Sequence, residues 1–148
     1  METVLLFGKI ALGRVGVTVA TGWYCRYAKD RMTDGPVFGS KDMFSGLAII
    51  ADTYSNHNGP HNHNHPYLSA MVNNGSLSYD HDRDGTHTML GGCEVKLRNM
   101  EHETVIAIRY EGDKLTVSHD LDNKREWEPC FSIGKIFLIN IAFKHFKS

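Results

Sequence analysis

The sequence predicts an all-β domain built as an antiparallel sandwich. Short strand-like runs recur along the 148 residues, clusters of turn-forming residues separate them, and helical periodicity is weak throughout. A chain of this length corresponds to one domain and can bury a substantial core. The composition, with 41% hydrophobic and 22% charged residues, is that of an ordinary globular protein.

The central part of the chain predicts a buried strand followed by a hairpin. Residues 46–54 are almost continuously apolar and rich in β-branched side chains, which favours a strand covered on both faces. A polar loop dense in Asn, Gly, Pro and His follows it. Residues 67–72 and 76–79 then flank an Asn-Gly pair, Asn74 and Gly75, which is a strong hairpin signal.

The later part of the chain predicts a second hairpin and one more strand. Residues 104–110 and 114–118 are strand-like and are separated by a turn at residues 111–113. Residues 126–133 have the pattern of a further strand. Regularly spaced strands of this kind are typical of an antiparallel sandwich.

The two ends follow the pattern less clearly. Residues 1–21 contain strand-like stretches without clear turns between them. Residues 134–148 form an apolar run with a basic end, compatible with an edge strand or a helix. No run approaches the roughly 20 apolar residues of a membrane span. The first apolar run is too short for a signal-peptide core, so we expect no secretory signal in the chain as written.

Charge and cysteine content restrict the partners and cofactors. The net charge is −1, so we expect no general attraction to nucleic acid or anionic lipid. The three cysteines, Cys25, Cys93 and Cys130, leave at least one thiol unpaired. They contain no close pair of the kind that binds zinc. Three cysteines are compatible either with three buried thiols or with one disulfide and one thiol.

A possible metal site begins where the buried strand ends. Asp52, Tyr54 and Asn56 stand at i, i+2 and i+4, so in an extended segment they share one face. A carboxylate, a backbone carbonyl and an amide oxygen are ligands that Ca²⁺ accepts. The alternative is a strand end running into an Asx-turn.

A second acidic cluster, residues 80–85, reads Asp-His-Asp-Arg-Asp-Gly. It resembles the start of an EF-hand loop, but the twelfth position holds Gly91 instead of the required Glu, and the flanks are strand-like. We therefore reject an EF-hand. The cluster is either a solvated turn or part of a Ca²⁺ site shared with the first cluster, since like charges brought close together favour a cation between them.

The polar loop offers a different metal hypothesis. Its four histidines are donors that suit a transition metal. A flexible, solvated surface loop is the interpretation we favour, because no nearby cysteine or ordered frame fixes the geometry of the histidines. Signals for catalysis are absent: no strand has a Glu-x-Asp-x-Glu pattern, no nucleophile elbow occurs, and no Gly-rich phosphate loop is present. The sequence therefore favours a binding protein over an enzyme. The four histidines are His57, His61, His63 and His65.

Several long runs resemble a known family. The runs are DGPVFGSKDMFSGLAIIADTYSN, PYLSAMVNNGSLSYDHDRDG, LGGCEVKLRN and REWEPC. They are similar to the L-type lectins of the early secretory pathway, and most of all to the vesicular integral-membrane cargo lectin group. The resemblance covers residues 22–133, a partial carbohydrate-recognition domain, and leaves residues 1–21 and 134–148 as non-matching flanks.

The resemblance implies a concanavalin-like jelly-roll sandwich, incomplete at both ends, that binds high-mannose N-glycans of glycoprotein cargo with Ca²⁺. It implies action in ER–Golgi transport and quality control, in the lumen of the ER, the intermediate compartment or the Golgi. Family members carry a membrane span, and we expect none within the residues of this sequence. The implied metal ligands are Asp52, Tyr54, Asn56 and Asp84, the implied sugar contacts are Asn56, His81 and Asp84, and the implied disulfide joins Cys93 to Cys130.

The chain departs from the family at the sugar site. Thr21 stands where the family has a mannose-binding aspartate, and nothing after Gly134 resembles the family loop that completes the site. A truncated relative that keeps the Ca²⁺ site but not sugar binding is therefore an open alternative, as is a His-rich metal-binding domain.

Asn74, Gly75 and Ser76 also form an N-glycosylation sequon.

Overall fold

The computed structural model of the chain contains two β-sheets. It describes residues 33–56, 63–101, 104–122 and 124–136 in full, and the backbone of residues 3–5, 14–19 and 22–28. These residues include no α-helix, so the prediction of an all-β fold is confirmed. The strands are β1 Thr3–Leu5, β2 Arg14–Val19, β3 Gly22–Ala28, β4 Ser45–Asp52, β5 Tyr67–Asn74, β6 Gly91–Glu94, β7 Val105–Glu111, β8 Lys114–Asp120 and β9 Glu128–Ile133.

The larger sheet has the order β2-β3-β4-β5-β6, with every neighbouring pair antiparallel. Its central strand, β4, is buried on both faces, which explains its nearly continuous apolar sequence. Leu47, Ile49 and Ala51 point into the core between the two sheets. Ala48 and Ile50 point the other way, into a second apolar cluster that also contains Phe44 and Tyr79. The strand predicted at residues 46–54 is thus confirmed up to Asp52, and Thr53 and Tyr54 lie beyond its end.

The smaller sheet has the order β1-β7-β8-β9, in which β1 lies parallel to β7 and the other pairs are antiparallel. The predicted hairpin between β7 and β8 is confirmed. Its turn residues, Gly112 and Asp113, have φ values of 56° and 60°. Two consecutive residues with positive φ are typical of the tight turn that matches the twist of paired strands.

The hairpin predicted at residues 67–79 is wrong. β5 forms as expected, but residues 76–79 are not a strand. The buried side chain of Asn73 accepts hydrogen bonds from the N–H groups of Gly75 and Leu77, at 3.0 and 3.1 Å, and donates one to the carbonyl of Leu77. This side chain therefore satisfies groups that a strand partner would have paired, and β5 pairs with β4 and β6 instead.

One disulfide joins the two sheets. Cys93 of β6 is bonded to Cys130 of β9, with the Cα atoms 5.5 Å apart. The disulfide that the family resemblance implied is therefore present in the structure. Because β6 and β9 are outer strands of different sheets, the bond closes one side of the sandwich over the shared core.

The expectations for the chain ends are answered only in part. β1 and β2 show that the first 21 residues contain strands. At the other end, buried Ile136 donates its N–H to the carbonyl of Asp113 and accepts the hydroxyl of Tyr110 on its own carbonyl. Residues 137–148 lie outside the described part, so the choice between a strand and a helix for residues 134–148 stays open. No helix among the described residues is long and apolar enough to cross a membrane.

We predict that His119 makes the stability of the fold depend on pH. The side chain lies buried in β8, and burial lowers the pKa of His119 although the carboxylates of Glu128 and Asp120 act in the opposite direction. A lowered pKa means that the unfolded chain binds a proton first, so the stabilisation is present above about pH 6.5 and is lost as the pH falls below it.

Urea unfolding of the protein and of His119→Gln at about pH 7.5 and about pH 5.5 tests this. We expect the wild type to lose more of its free energy of unfolding than the variant on acidification. His87→Gln, at an exposed position, is the control and should follow the wild type. Identical pH dependence in the wild type and His119→Gln would contradict the assignment.

Candidate metal centre

Two buried carboxylates meet at one edge of the larger sheet. Asp52 is the last residue of β4 and Asp84 lies in the loop between β5 and β6; their exposed fractions are 8% and 4%. The Oδ2 atom of each lies close to the Nε2 atom of His65, at 3.9 Å for Asp52 and 3.8 Å for Asp84. The fold therefore brings together the two aspartates that the sequence suggested as metal ligands.

The other oxygen of each carboxylate holds the loop that follows β4. The backbone N–H of Tyr54 donates to Oδ1 of Asp52 at 3.0 Å, and that of Asn56 donates to Oδ1 of Asp84 at 3.0 Å. Tyr54 and Asn56 are thereby placed beside the carboxylate pair. All four residues expected to bind the metal thus lie in one place, and their role as ligands remains a prediction.

The loop that carries Asp84 is a single 3₁₀ turn, His81–Arg83. Asp80 caps this turn by accepting the N–H of Asp82 on its side chain. Asp84 ends it in the left-handed conformation, with φ 48°. Of the three aspartates in the motif only Asp84 is buried; Asp80 is engaged in capping and Asp82 is exposed. The motif therefore delivers one carboxylate to the centre.

This loop packs against the aromatic ring of Tyr79. The ring packs edge-on against Phe38, with centroids 5.4 Å apart, and against His81 at 4.9 Å. Burial raises the pKa of Tyr79 strongly, and the carboxylates of Asp52 and Asp84 raise it further, so the hydroxyl stays protonated. Gly85 lies directly against this ring, because a Cβ atom there would stand 2.3 Å from Cε2 of Tyr79.

Burial also acts on the carboxylate of Asp52. It raises the pKa of Asp52, and the negative charge of Asp84 adds to the increase. The N–H of Tyr54 and the ring of His65 oppose it without cancelling it. Two buried carboxylates side by side form a site that a cation would stabilise, and their oxygen atoms suit Ca²⁺.

Of the three residues expected to contact sugar, Asp84 belongs to this centre, Asn56 donates its N–H to Asp84, and His81 begins the turn that Asp84 ends. Asn56 is exposed and Tyr54 is 62% exposed. His81 is half-buried, and its Nε2 atom lies 3.1 Å from the carbonyl oxygen of Pro36. Thr21, where the family has an aspartate, lies outside the described residues.

Two histidines of the polar loop pack against the metal centre, whereas the sequence analysis favoured a solvated loop for them. His63 and His65 lie directly before β5, whose first residue, Tyr67, pairs with Asp52. An imidazole nitrogen of each and a carboxylate oxygen of Asp84 all lie within 4.8 Å of one another. The alternation His63, His65, Tyr67 into a strand was the available signal, since such residues share one face. His57 and His61 lie outside the described residues.

The chain is similar to a known protein family and to several of its members. The model of the legume-like lectin family matches residues 9–145. The mouse VIP36-like protein is 52% identical over 112 residues, which are 76% of this chain and 32% of that protein. Human vesicular integral-membrane protein VIP36 is 53% identical over 112 residues, and the rat protein ERGIC-53 is 31% identical over 140 residues, or 26% of its length.

Solved structures show the same fold. The VIP36 exoplasmic/lumenal domain in a form with Ca²⁺ and Man2 has a TM-score of 0.72 and 46% identity, over 81% of this chain and 50% of that one. Its metal-free form has a TM-score of 0.70 and 47% identity, over 90% and 52%. These likenesses confirm the predicted jelly-roll sandwich. The chain spans about a third of these curated relatives and half of the solved domain.

We predict that Gly85 is required for the position of Asp84. An added methyl group would meet the Tyr79 ring, and φ +66° at Gly85 is strained for any other residue. Gly85→Ala should therefore lower the free energy of unfolding well beyond the roughly 1–2 kcal/mol that a left-handed conformation costs alanine.

Two glycines provide matched controls. Gly112 has φ +56° but no atom within 4 Å of the added methyl, so Gly112→Ala isolates the backbone cost. Gly134 has neither feature, and Gly134→Ala should be close to neutral. Chemical denaturation of the three variants should give this order. Equal losses for Gly85→Ala and Gly112→Ala would show that contact with Tyr79 is unimportant.

Proposed function

Because this chain belongs to the legume-like lectin family, we propose that it binds high-mannose N-glycans of glycoprotein cargo in a Ca²⁺-dependent manner. The observation that carries the proposal is the buried pair Asp52 and Asp84, whose second oxygens hold the loop bearing Tyr54 and Asn56. Solved VIP36 domains in Ca²⁺/Man and Ca²⁺/Man3GlcNAc forms, at 47% identity, support both the ion and the sugar class.

The proposed calcium ligands are the side-chain oxygens of Asp52, Asn56 and Asp84 and the backbone carbonyl of Tyr54. All are oxygen donors, as Ca²⁺ requires, and the two carboxylates supply the charge that balances the ion. Calcium, when bound, would neutralise both aspartates and hold the loop in one conformation. The hydrogen bonds from Tyr54 and Asn56 to the carboxylates already favour that conformation without the ion.

The proposed sugar contacts are Asn56, His81 and Asp84. Asn56 would act on the ion and the sugar together, so ordering of its loop prepares the sugar site as well. Preorganised groups lower the entropy cost of binding hydroxyls. One monosaccharide site of this kind is weak, and clustered glycans or clustered lectins would raise its avidity.

The proposal is one of binding without turnover. The protein would act on cargo glycoproteins in ER–Golgi transport and quality control, in the lumen of the ER, the intermediate compartment or the Golgi. The relatives named vesicular integral-membrane protein and ERGIC-53 support this route. The lectin family supports a protein that is not an enzyme.

We also propose Asn74 as a glycosylation site. The residue is exposed at the end of β5 opposite to Tyr67, which pairs with Asp52, so a glycan there would lie away from the metal centre. Its Oδ1 atom accepts the N–H and the hydroxyl of Ser76, the other essential residue of the sequon.

Calcium and mannose titrations test the main proposal. Asp84→Asn keeps the shape of the side chain but removes a buried negative charge, so we expect Ca²⁺ affinity to fall by at least about tenfold. Binding of a high-mannose oligosaccharide should be lost in parallel. Isothermal titration calorimetry measures both, with and without Ca²⁺.

Asp82→Asn is the matched control, since it removes the same charge from an exposed residue of the same turn. It should bind Ca²⁺ and glycan as the wild type does. The proposal fails if the wild-type chain binds the glycan equally well without Ca²⁺, or if the two variants behave alike. Calcium binding without any glycan binding would instead support a relative that has lost its sugar site.

Expression of the chain behind a secretory signal tests the glycosylation site. We expect a mobility shift on treatment with a glycosidase that removes N-glycans, and its absence in Asn74→Gln and Ser76→Ala. Ser76→Thr preserves the sequon and should retain the shift. A shift that persists in Asn74→Gln would place the glycan elsewhere.

A further inference from the structure

We propose that His63, His65 and Asp84 form a second metal site, which takes a borderline transition-metal ion such as Zn²⁺. The inference goes beyond the proposed lectin function and rests on it only in sharing Asp84 with the calcium ligands. Three observations carry it: the surroundings of the His65 ring, the convergence of three donors, and the way the histidine segment is held.

The ring of His65 is buried and unsatisfied. Its side chain is 5% exposed, and neither ring nitrogen has a hydrogen-bond partner among the residues that the structure describes. Its Nε2 atom faces Oδ2 of both Asp52 and Asp84, at distances too long for a hydrogen bond. Burying a polar ring without partners costs free energy, so its position beside two carboxylates requires a reason. A metal ion between the ring and the carboxylates supplies one.

The donors already converge. One ring nitrogen of His63, one of His65 and a carboxylate oxygen of Asp84 lie within 4.8 Å of one another, and His65 Nε2 is 3.8 Å from Asp84 Oδ2. Tetrahedral zinc, with bonds of about 2.0–2.1 Å, holds its ligand atoms about 3.4 Å apart. Small side-chain rotations are therefore enough to complete the coordination.

The segment carrying the histidines is fixed from its other side. Asn64, between them, donates both its backbone N–H and its side-chain amide to Oε1 of Glu94, at 3.4 and 3.1 Å. The carbonyl of Pro66 accepts the N–H of Val95. The rings of His63 and His65 stack with centroids 4.7 Å apart, and His63 also contacts Tyr67 at 3.7 Å. Both imidazoles are thus held on one face.

The donor set separates this site from the calcium site. Two imidazoles and one carboxylate suit zinc and related ions, with a fourth position left for water, whereas Ca²⁺ takes oxygen ligands. The calcium ligands proposed above contain no nitrogen donor. The two histidines therefore give the same corner of the fold a different metal preference.

Zinc titration of the calcium-free full chain tests the inference. We expect one equivalent of Zn²⁺ by calorimetry, and an absorbance typical of tetrahedral nitrogen and oxygen ligands when Co²⁺ replaces it. Loss of an outer-shell partner already costs a metal site 10–100-fold in affinity, so removing a direct ligand in His65→Ala or His63→Ala should cost at least about tenfold. The exposed control, His87→Ala, should bind as the wild type does.

His63→Ala guards against misfolding, because His63 is only half-buried and its removal disturbs the core less than His65→Ala does. The inference is overturned if the wild type takes up no Zn²⁺, or if both loop variants retain wild-type affinity, which would place the ion elsewhere. A calcium titration of the same wild-type sample separates the two sites. Calcium binding without zinc binding overturns this inference and leaves the proposed calcium site standing. Zinc binding without calcium binding overturns the proposed calcium site and leaves this inference standing.

Discussion

The site depends on one electrostatic constraint: two buried carboxylates, Asp52 and Asp84, face the same point. Among the described ion pairs, the ring of His65 lies near both carboxylates. Burial and the charge of Asp84 raise the pKa of Asp52, and the N–H of Tyr54, which Asp52 accepts, opposes that increase. A site balanced in this way responds strongly to a cation, and the proposed binding chemistry follows from that balance.

The surrounding fold brings these two residues together. Asp52 is placed by β4, whose two apolar faces bury it in the middle of the larger sheet. Asp84 is placed by a turn that rests on Tyr79 and needs Gly85 to do so. The disulfide between Cys93 and Cys130 joins the sheets, and in the chain-entropy model a loop of this length contributes about 4 kcal/mol. The rigid frame lowers the cost of holding two like charges side by side.

Local patterns predicted the elements whose partners are close in sequence. The hairpin of β7 and β8 was predictable because Gly112 and Asp113 form a tight turn between alternating strands. The hairpin expected after β5 was not formed, although an Asn-Gly pair was present. There the side chain of Asn73 satisfies the backbone of Gly75 and Leu77, and β5 pairs with strands more distant in sequence. Turn residues therefore indicate a reversal of the chain but not which strands pair.

The sequence by itself determined the all-β class and, through its resemblance to a lectin family, the candidates Asp52, Tyr54, Asn56 and Asp84. Tertiary structure decided which of the acidic residues is buried and what faces it. Asp80, Asp82 and Asp84 are identical side chains within one short motif. Only Asp84 packs inward, because it ends the turn in the left-handed conformation. His65 meets both carboxylates because Tyr67 pairs with Asp52 across the sheet. Such long-range register follows from the packing of whole strands, which no local pattern encodes.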